Sequence, residues 1–334
     1  MTYYGGKSRA APLIWERLGA VPNYVEPFFG SGAVLLNRPH APGLETVNDL
    51  DGFVCNVWRA LQADPDVVAH WCDFPPNECQ QHAVHTWLIG QREEFTARLM
   101  GDPDYYDAKV AGRWLYGICC WIGGGWCSGD GPWQSVDGQL LHLGDAGQGV
   151  HRQLLHLGDA GQGVHRQRLH LGNAGQGEGE LYAWFQALAD RLRHVRVCCG
   201  DWTRVMGPSV TYKHGVTGIL LDPPYSLEEG RTAGLYAQDD MQVAHATQTW
   251  CVENGAHPLL RIALCGYGTM HDVLLTQGWT KAHWIANGGF GNQRKTRDYT
   301  NKYRETLWFS PACLSAQQPS FFDNLSFYTE GQSP

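Results

Sequence analysis

Apolar residues in this chain cluster in two ways: short runs closed by glycine, proline or an acid, and longer stretches in which they recur every three or four positions. The first kind reads as buried strands, the second as amphipathic helices. A helical pattern through Pro12, Leu13, Ile14 and Leu18 is followed by a strand at Asn23-Tyr24-Val25, a Gly30-Ser31-Gly32 turn and an apolar helix start at Ala33-Val34-Leu35-Leu36. After Pro42-Gly43 a second strand, Thr46-Val47-Asn48, ends at Asp49-Leu50-Asp51, with a helix from Gly52 to Leu61 behind it. Further on, Val195 to Cys199, Gly218 to Leu221, Leu259 to Leu264 and Trp279 to Ile285 read as strands, and Asp240 to Glu253 as a helix. Strands alternating with helices predict an α/β fold with buried, parallel strands.

Between these two blocks the pattern is helical: Val67-Val68 and Trp71, then His82 to Met100, then Tyr105 to Trp121 with Val110, Trp114, Leu115 and Ile118 on one period. Gly123-Gly124-Gly125 breaks that helix, and Trp121, Trp126 and Trp133 around it are placed either to stack on bases and wedge a duplex or to pack in the core. The 14 residues Gln139 to Arg152 recur identically from Gln153 to Arg166, and a diverging third copy runs from Gln167 to Glu180. Each unit joins a short apolar stretch to a glycine-rich turn segment. Three units are few for a free-standing solenoid and predict a ribbon or loop. Arg152, Arg166 and Arg168 are available there to phosphate, or the duplicated loop has no essential role. Its histidines have no thiolates nearby, so no metal site is read. A helix from Glu180 to His194 then leads back to the strands.

Composition narrows the class. With 334 residues, 43% of them hydrophobic, the chain can bury a sizeable core. It has no apolar run of about 18 residues, and Met1 to Lys7 lacks the apolar core of a signal peptide, so a cytoplasmic protein without a membrane partner is expected. The eleven cysteines never form Cys-x-x-Cys, which predicts buried free thiols rather than a disulfide framework or a zinc ribbon. A formal charge of −8 means that any nucleic-acid contact must come from a local patch. One lies between Asn287 and Arg304, where Arg294, Lys295, Arg297, Lys302 and Arg304 face a single acid, Asp298, in a glycine-containing stretch suited to gripping phosphates.

The chemistry centres on Asp222-Pro223-Pro224-Tyr225, which follows the apolar run Gly218 to Leu221 and so falls at the carboxyl end of a strand, where open α/β sheets bind ligands. Neither proline has an N–H to donate, so the ladder stops there and carbonyls face outward. Asp222 and the Pro223 carbonyl can accept both N–H bonds of an exocyclic amine while Tyr225 stacks on the base. Glu26, Pro27, Phe28, Gly30 and Gly32 form a strand-to-turn segment of the nucleotide-binding type, although it lacks the third glycine of a dinucleotide fingerprint. Asp49 or Asp51, about 20 positions on, is placed to bond ribose hydroxyls or to cap the next helix. Lys7, in a glycine-rich lead into the first helix, suits an anionic group such as a carboxylate.

Taken in order, Tyr-x-Gly-Gly-Lys at the start, Glu-Pro-Phe-Phe-Gly-Ser-Gly, Asn-Asp at the next strand tip and Asp-Pro-Pro-Tyr downstream resemble the Dam-type, or D12-class, adenine-N6 DNA methyltransferases. The resemblance covers about residues 1 to 62 and 195 to 312. It implies a class-I, Rossmann-like sheet over those segments, binding S-adenosyl-L-methionine, with a mainly helical target-recognition insertion at 63–194 that includes the repeats at 139–180, and a loosely ordered tail at 313–334. It implies that Asp222, Pro223, Pro224 and Tyr225 are catalytic, that Tyr3 and Lys7 contact the cofactor, and that Asp201 and Trp202 flank its adenine, with a helix cap as the other reading of Asp201. The expected partner is double-stranded DNA, with no obligate protein partner, in a phage-type, orphan or restriction-modification setting. Cytosine-N4 transfer presents the same amine geometry and stays open, as does a cofactor-binding chain without turnover.

Overall fold

A computed structural model describes residues 7–75, 77–121, 126–127, 133–136, 139–142, 180–224, 241–284 and 305–315. In chain order the elements are α1 (Ala11–Leu18), β1 (Asn23–Glu26), α2 (Ala33–Leu36), β2 (Leu44–Asp49), α3 (Gly52–Ala63), α4 (Pro65–Cys72), α5 (Glu78–Gly101), α6 (Ala108–Cys120), β3 (Trp133–Val136), β4 (Gln139–His142), α7 (Glu180–Leu192), β5 (Val195–Cys199), β6 (Thr217–Leu221), α8 (Met241–Asn254), β7 (Leu260–Tyr267), β8 (Thr280–His283) and β9 (Glu305–Phe309).

Seven strands make one sheet in the order β5-β2-β1-β6-β7-β9-β8. The first five are mutually parallel, and β9 runs antiparallel to both β7 and β8. Such a sheet is buried on both faces, which is why β1 and β6 read as unbroken buried runs rather than alternating ones. The order reverses direction between β1 and β6, and a crevice opens outside the carboxyl ends of strands at such a switch point. The α/β expectation holds, in a Rossmann-like form.

The strand boundaries moved where partners decide them. β7 extends to Tyr267, past the Leu264 end read from the apolar run, because β9 pairs with it as far as Tyr267↔Glu305. The helix expected from Tyr105 begins at Ala108, since Asp107 caps it by accepting from Val110 N and is itself held by Asn56. The helices α3 to α7 share one continuous apolar cluster with the sheet, including Leu61, Val68, Leu88, Trp114, Phe185 and Val195. Trp121 and Trp126 belong to it: both are buried and pack around His85, with ring centroids 4.8 and 5.3 Å away. Of the two readings for these tryptophans the core reading stands; the side chain of Trp133 lies outside what is described. All eleven cysteines are free, and Cys79 alone is exposed. Within the repeats Gln139–His142 is described as β4, paired antiparallel with β3, and Glu180 opens α7.

A buried ion cluster fastens the returning helix α7 to the sheet. Glu45 of β2, 2% exposed, accepts from Arg38 at 2.9 Å and from both terminal nitrogens of Arg191 at 2.7 and 2.9 Å. The same guanidiniums also reach the carbonyls of Val21 and Leu35. Two cations so placed depend on one carboxylate. Glu45→Ala is therefore expected to lower unfolding free energy by about 3–5 kcal/mol, measured by denaturant titration.

Candidate functional site

The site is assembled where β1 and β6 end side by side. Their register, with Val25 opposite Ile219, brings Pro27 and Asp222, the residues that follow the two strands, to the same edge of the sheet.

At the β1 end, Gly30 and Gly32 both take left-handed φ values, +48° and +66°. A Cβ on Gly32 would come within 2.8 Å of the Phe29 ring, so the turn accepts only glycine there. Asp49 fixes it. One carboxylate oxygen accepts from Gly30 N at 2.8 Å and the other from Asp51 N at 2.9 Å. Asp51 instead caps α3 through Phe53 N, so the capping reading is realised at Asp51. Burial raises the Asp49 pKa to about 6, against the pull of these backbone hydrogen bonds. Asn48, fully buried, ties the tips of three strands together: its amide donates to the carbonyls of Pro27 at 3.1 Å and Gly200 at 2.9 Å.

Phe28 and Trp202 stack at 5.9 Å, forming an apolar wall beyond the strand ends. Asp201 caps the short helix Trp202–Val205, accepting from Thr203, so its cap reading is realised. Glu26 is 3% exposed and accepts from the Tyr24 hydroxyl at 2.9 Å. Burial pushes its carboxyl well above the usual range, and the charges of Asp222 and Asp49 add to the shift.

At the β6 end the structure brings together residues from both extremes of the chain. Lys7 Nζ lies 3.0 Å from an Asp222 carboxylate oxygen and 4.0 Å from Glu305. Its backbone carbonyl accepts from Ala11 N at the start of α1, and α1 is anchored by Trp15, which donates to the Val34 carbonyl. Trp284 stands 6.0 Å from the ammonium. Lys7 was read as facing an anionic ligand group; here it faces the carboxylate of Asp222. Sequence reasoning missed Glu305 and Trp284. The one signal for Glu305 was an acid heading the otherwise apolar strand Thr306-Leu307-Trp308-Phe309. Cys265 borders Asp222, and burial keeps its thiol well above its usual pKa.

The candidate residues Glu26, Pro27, Phe28, Gly30, Gly32, Asp49, Asp201, Trp202, Asp222, Pro223 and Pro224 thus gather along one edge, with Lys7 among them. Tyr3, Tyr225 and the basic residues Arg294, Lys295, Arg297 and Lys302 lie outside the described residues, as do most of the repeats and the end of the tail. Among the described residues no group of His, Cys, Asp and Glu could hold a metal ion. No helix among them is long and apolar enough to cross a membrane.

A nucleoside bearing a sulfonium fits this edge. The glycine turn leaves backbone room, Phe28 and Trp202 offer an aromatic surface, and Glu26, Asp49 and Asp222 offer acceptors and negative charge. Two outcomes are expected by calorimetry with S-adenosyl-L-methionine. Gly32→Ala should weaken binding at least tenfold, because the added methyl forces Phe29 into the turn. Asp49 is ionised above about pH 6 and neutral below it, so affinity should fall as pH drops from 7 to 5. Asp49→Asn should flatten that dependence. Since the folded pKa lies above the ordinary carboxylate value, ionisation of Asp49 opposes folding, and its contribution to stability declines as pH rises through 4 to 6.

Comparison with known proteins follows the same lines. No curated protein matches the chain significantly. Residues 3–95 match the family model described as D12 class N6 adenine-specific DNA methyltransferase. The matched stretch contains Lys7, the Glu26–Gly32 turn, Asp49 and the helices as far as α5. Over residues 3–95 the chain is therefore similar to the D12 class N6 adenine-specific DNA methyltransferases.

Proposed function

We propose that the enzyme takes its acceptor adenine out of double-stranded DNA and holds the N6 amine between Asp222 and the Pro223 carbonyl. The observation that carries this reading is Asp222 at the carboxyl end of β6, beside the glycine turn that ends β1. A base inside a duplex cannot reach such a recess, so it is flipped, and Tyr225 is its stacking partner.

Adenine N6 is a poor nucleophile because its lone pair is delocalised into the ring. Accepting both N–H bonds at Asp222 and Pro223 favours a more tetrahedral nitrogen and offsets the positive charge that grows on it during transfer. S-adenosyl-L-methionine supplies an activated methyl on its sulfonium when bound. Phe28, Trp202, Asp49, Tyr3 and the Gly30–Gly32 turn orient that donor, and Glu26 contributes a carboxyl whose ionisation a nearby cation favours. The N6 proton leaves toward the Asp222 carboxylate. Cys198, Cys199 and Cys265 take no nucleophile role in this direct transfer; burial pushes the Cys198 and Cys265 thiols up, whereas the hydrogen bond with Cys55 pulls Cys199 down.

Residues 63–194 act as the recognition insertion in this reading, with Arg294, Lys295, Arg297 and Lys302 gripping phosphates. The protein works in the cytoplasm, where its DNA is. The test is expression in cells, digestion of their DNA and mass spectrometry of the nucleosides, with Asp222→Ala as control. N6-methyladenine in the wild type alone is the expected result, and a drop of at least 100-fold in the variant is on the scale of losing a preorganised acceptor. N4-methylcytosine would reassign the base, and no modified nucleoside would overturn the reading.

A further inference from the structure

We infer that the outer face shared by α4, α5 and α6 is a docking surface for the sugar–phosphate backbone of DNA, with Lys109 and Arg113 as its phosphate contacts. This rests on double-stranded DNA being the substrate, as proposed above.

Lys109 and Arg113 stand one helical turn apart on α6, so both side chains leave the same face. Each lies on aromatic rings supplied by the neighbouring helices. Lys109 Nζ is 5.0 Å from the centre of the Trp71 ring and 5.4 Å from that of Trp87. The Arg113 guanidinium is 5.1 Å from Trp71 and 3.9 Å from Phe74. Trp71 comes from α4, Phe74 from the residues just after it and Trp87 from α5. A ring face attracts a cation but offers no lone pair to its N–H groups. Among the described residues neither cation forms an ion pair, and Arg113 Nη1 is buried without a hydrogen-bond partner. Both charges are therefore held in place with hydrogen-bond donors unspent, and little ordering is left to do when an anion arrives.

In a chain of formal charge −8, this face is a local exception. Trp87, 40% exposed, adds an apolar plate beside the two charges. A nucleic-acid backbone uses both: an anion at every nucleotide and a less polar sugar between. The placement also suits a substrate bound at the candidate site. α5 packs along α3, with Phe95 stacked on Phe53 at 5.5 Å and the carbonyls of Leu99 and Asp102 held by Arg59 farther down. Because α3 starts at the edge where β2 ends, the part of α5 before Arg92 continues past that edge. Trp87 lies about 8 Å farther along the helix axis than Arg92. A duplex whose adenine reaches Asp222 extends well beyond the recess, and the projecting helices give its backbone a surface to lie on.

The test is fluorescence anisotropy with a labelled DNA duplex over about 50 to 200 mM salt. It compares the wild type with Lys109→Gln, the double variant Lys109→Gln/Arg113→Gln, and a control, Lys213→Gln, an exposed lysine ahead of β6 at the opposite end of the sheet. Each phosphate contact contributes about 0.9 to the slope of log affinity against log salt. The slope is therefore expected to fall by about one in the single variant and about two in the double. Affinity of the double variant should fall at least tenfold at about 150 mM salt. Lys109→Gln should keep the wild-type melting temperature and affinity for S-adenosyl-L-methionine, since its side chain is exposed. Trp87→Ala should weaken DNA binding severalfold without altering the slope. An unchanged slope in Lys109→Gln and the double variant would overturn the inference, as would an equal loss in Lys213→Gln. A wild-type protein that binds no duplex at any of these salt concentrations would instead show that the reading of DNA as the substrate is wrong.

Discussion

The pairing of β1 with β6 is the constraint on which the rest of the molecule depends. These strands are separated in sequence by two further strands of the sheet and by the whole helical segment, yet they lie side by side in parallel register. Two parts of the candidate site are delivered by their ends: the glycine turn from one, Asp222 from the other. Long-range parallel pairing carries a large loop-closure cost, and the contacts that offset it are visible around the pair. Asn23 of β1 donates to Thr217 at the start of β6 at 3.0 Å, and also to the carbonyls of Val210 and Thr211 just upstream. Both strands are buried along their full length. The site is thus as stable as the centre of the sheet, because it begins where the centre of the sheet stops.

The helical segment between β2 and β5 does not stand apart from this core. Its helices feed side chains into the same apolar cluster as the sheet, and α7 is clamped to β2 through Glu45. One further tie runs toward the site. Arg92 of α5 donates to the carbonyl of Cys127, packs over Phe53 at 5.4 Å, and its charge lowers the pKa of Asp51 against the stronger effect of burial. The segment that follows α6 is therefore joined, through one guanidinium, to the residue that caps α3 at the edge of the cofactor region.

Much of this was legible in the sequence because apolar periodicity reports which face of an element is buried. The strands around Val25, Val47, Val197 and Ile219 declared themselves as short apolar runs, and the turn residues Gly30, Gly32, Pro223 and Pro224 marked where they end. Periodicity does not report partners. It placed Lys7 beside an anion but could not name Asp222, since the ion pair joins the first residues of the chain to a loop far downstream. Asp49 and Asp51 were indistinguishable as letters two positions apart; the hydrogen-bond directions of Gly30 N and Phe53 N separate them. Trp121 and Trp126 looked available for bases because glycines adjoin them, while their burial depends on His85, an unremarkable histidine on another helix. Glu305 was hidden by its strand, in which an acid reads as an edge residue.

Asn48 shows what kind of receptor the edge makes. A single amide group rivets the ends of β1 and β5 to β2, and its carbonyl oxygen is buried with no hydrogen-bond partner among the described residues. The floor beneath the cofactor region is consequently set before anything arrives, so a small molecule landing there need not organise the backbone, and its interaction energy goes into affinity and alignment. This edge is in that respect a finished surface, and whatever adaptation a second, larger ligand required would have to be found elsewhere in the chain.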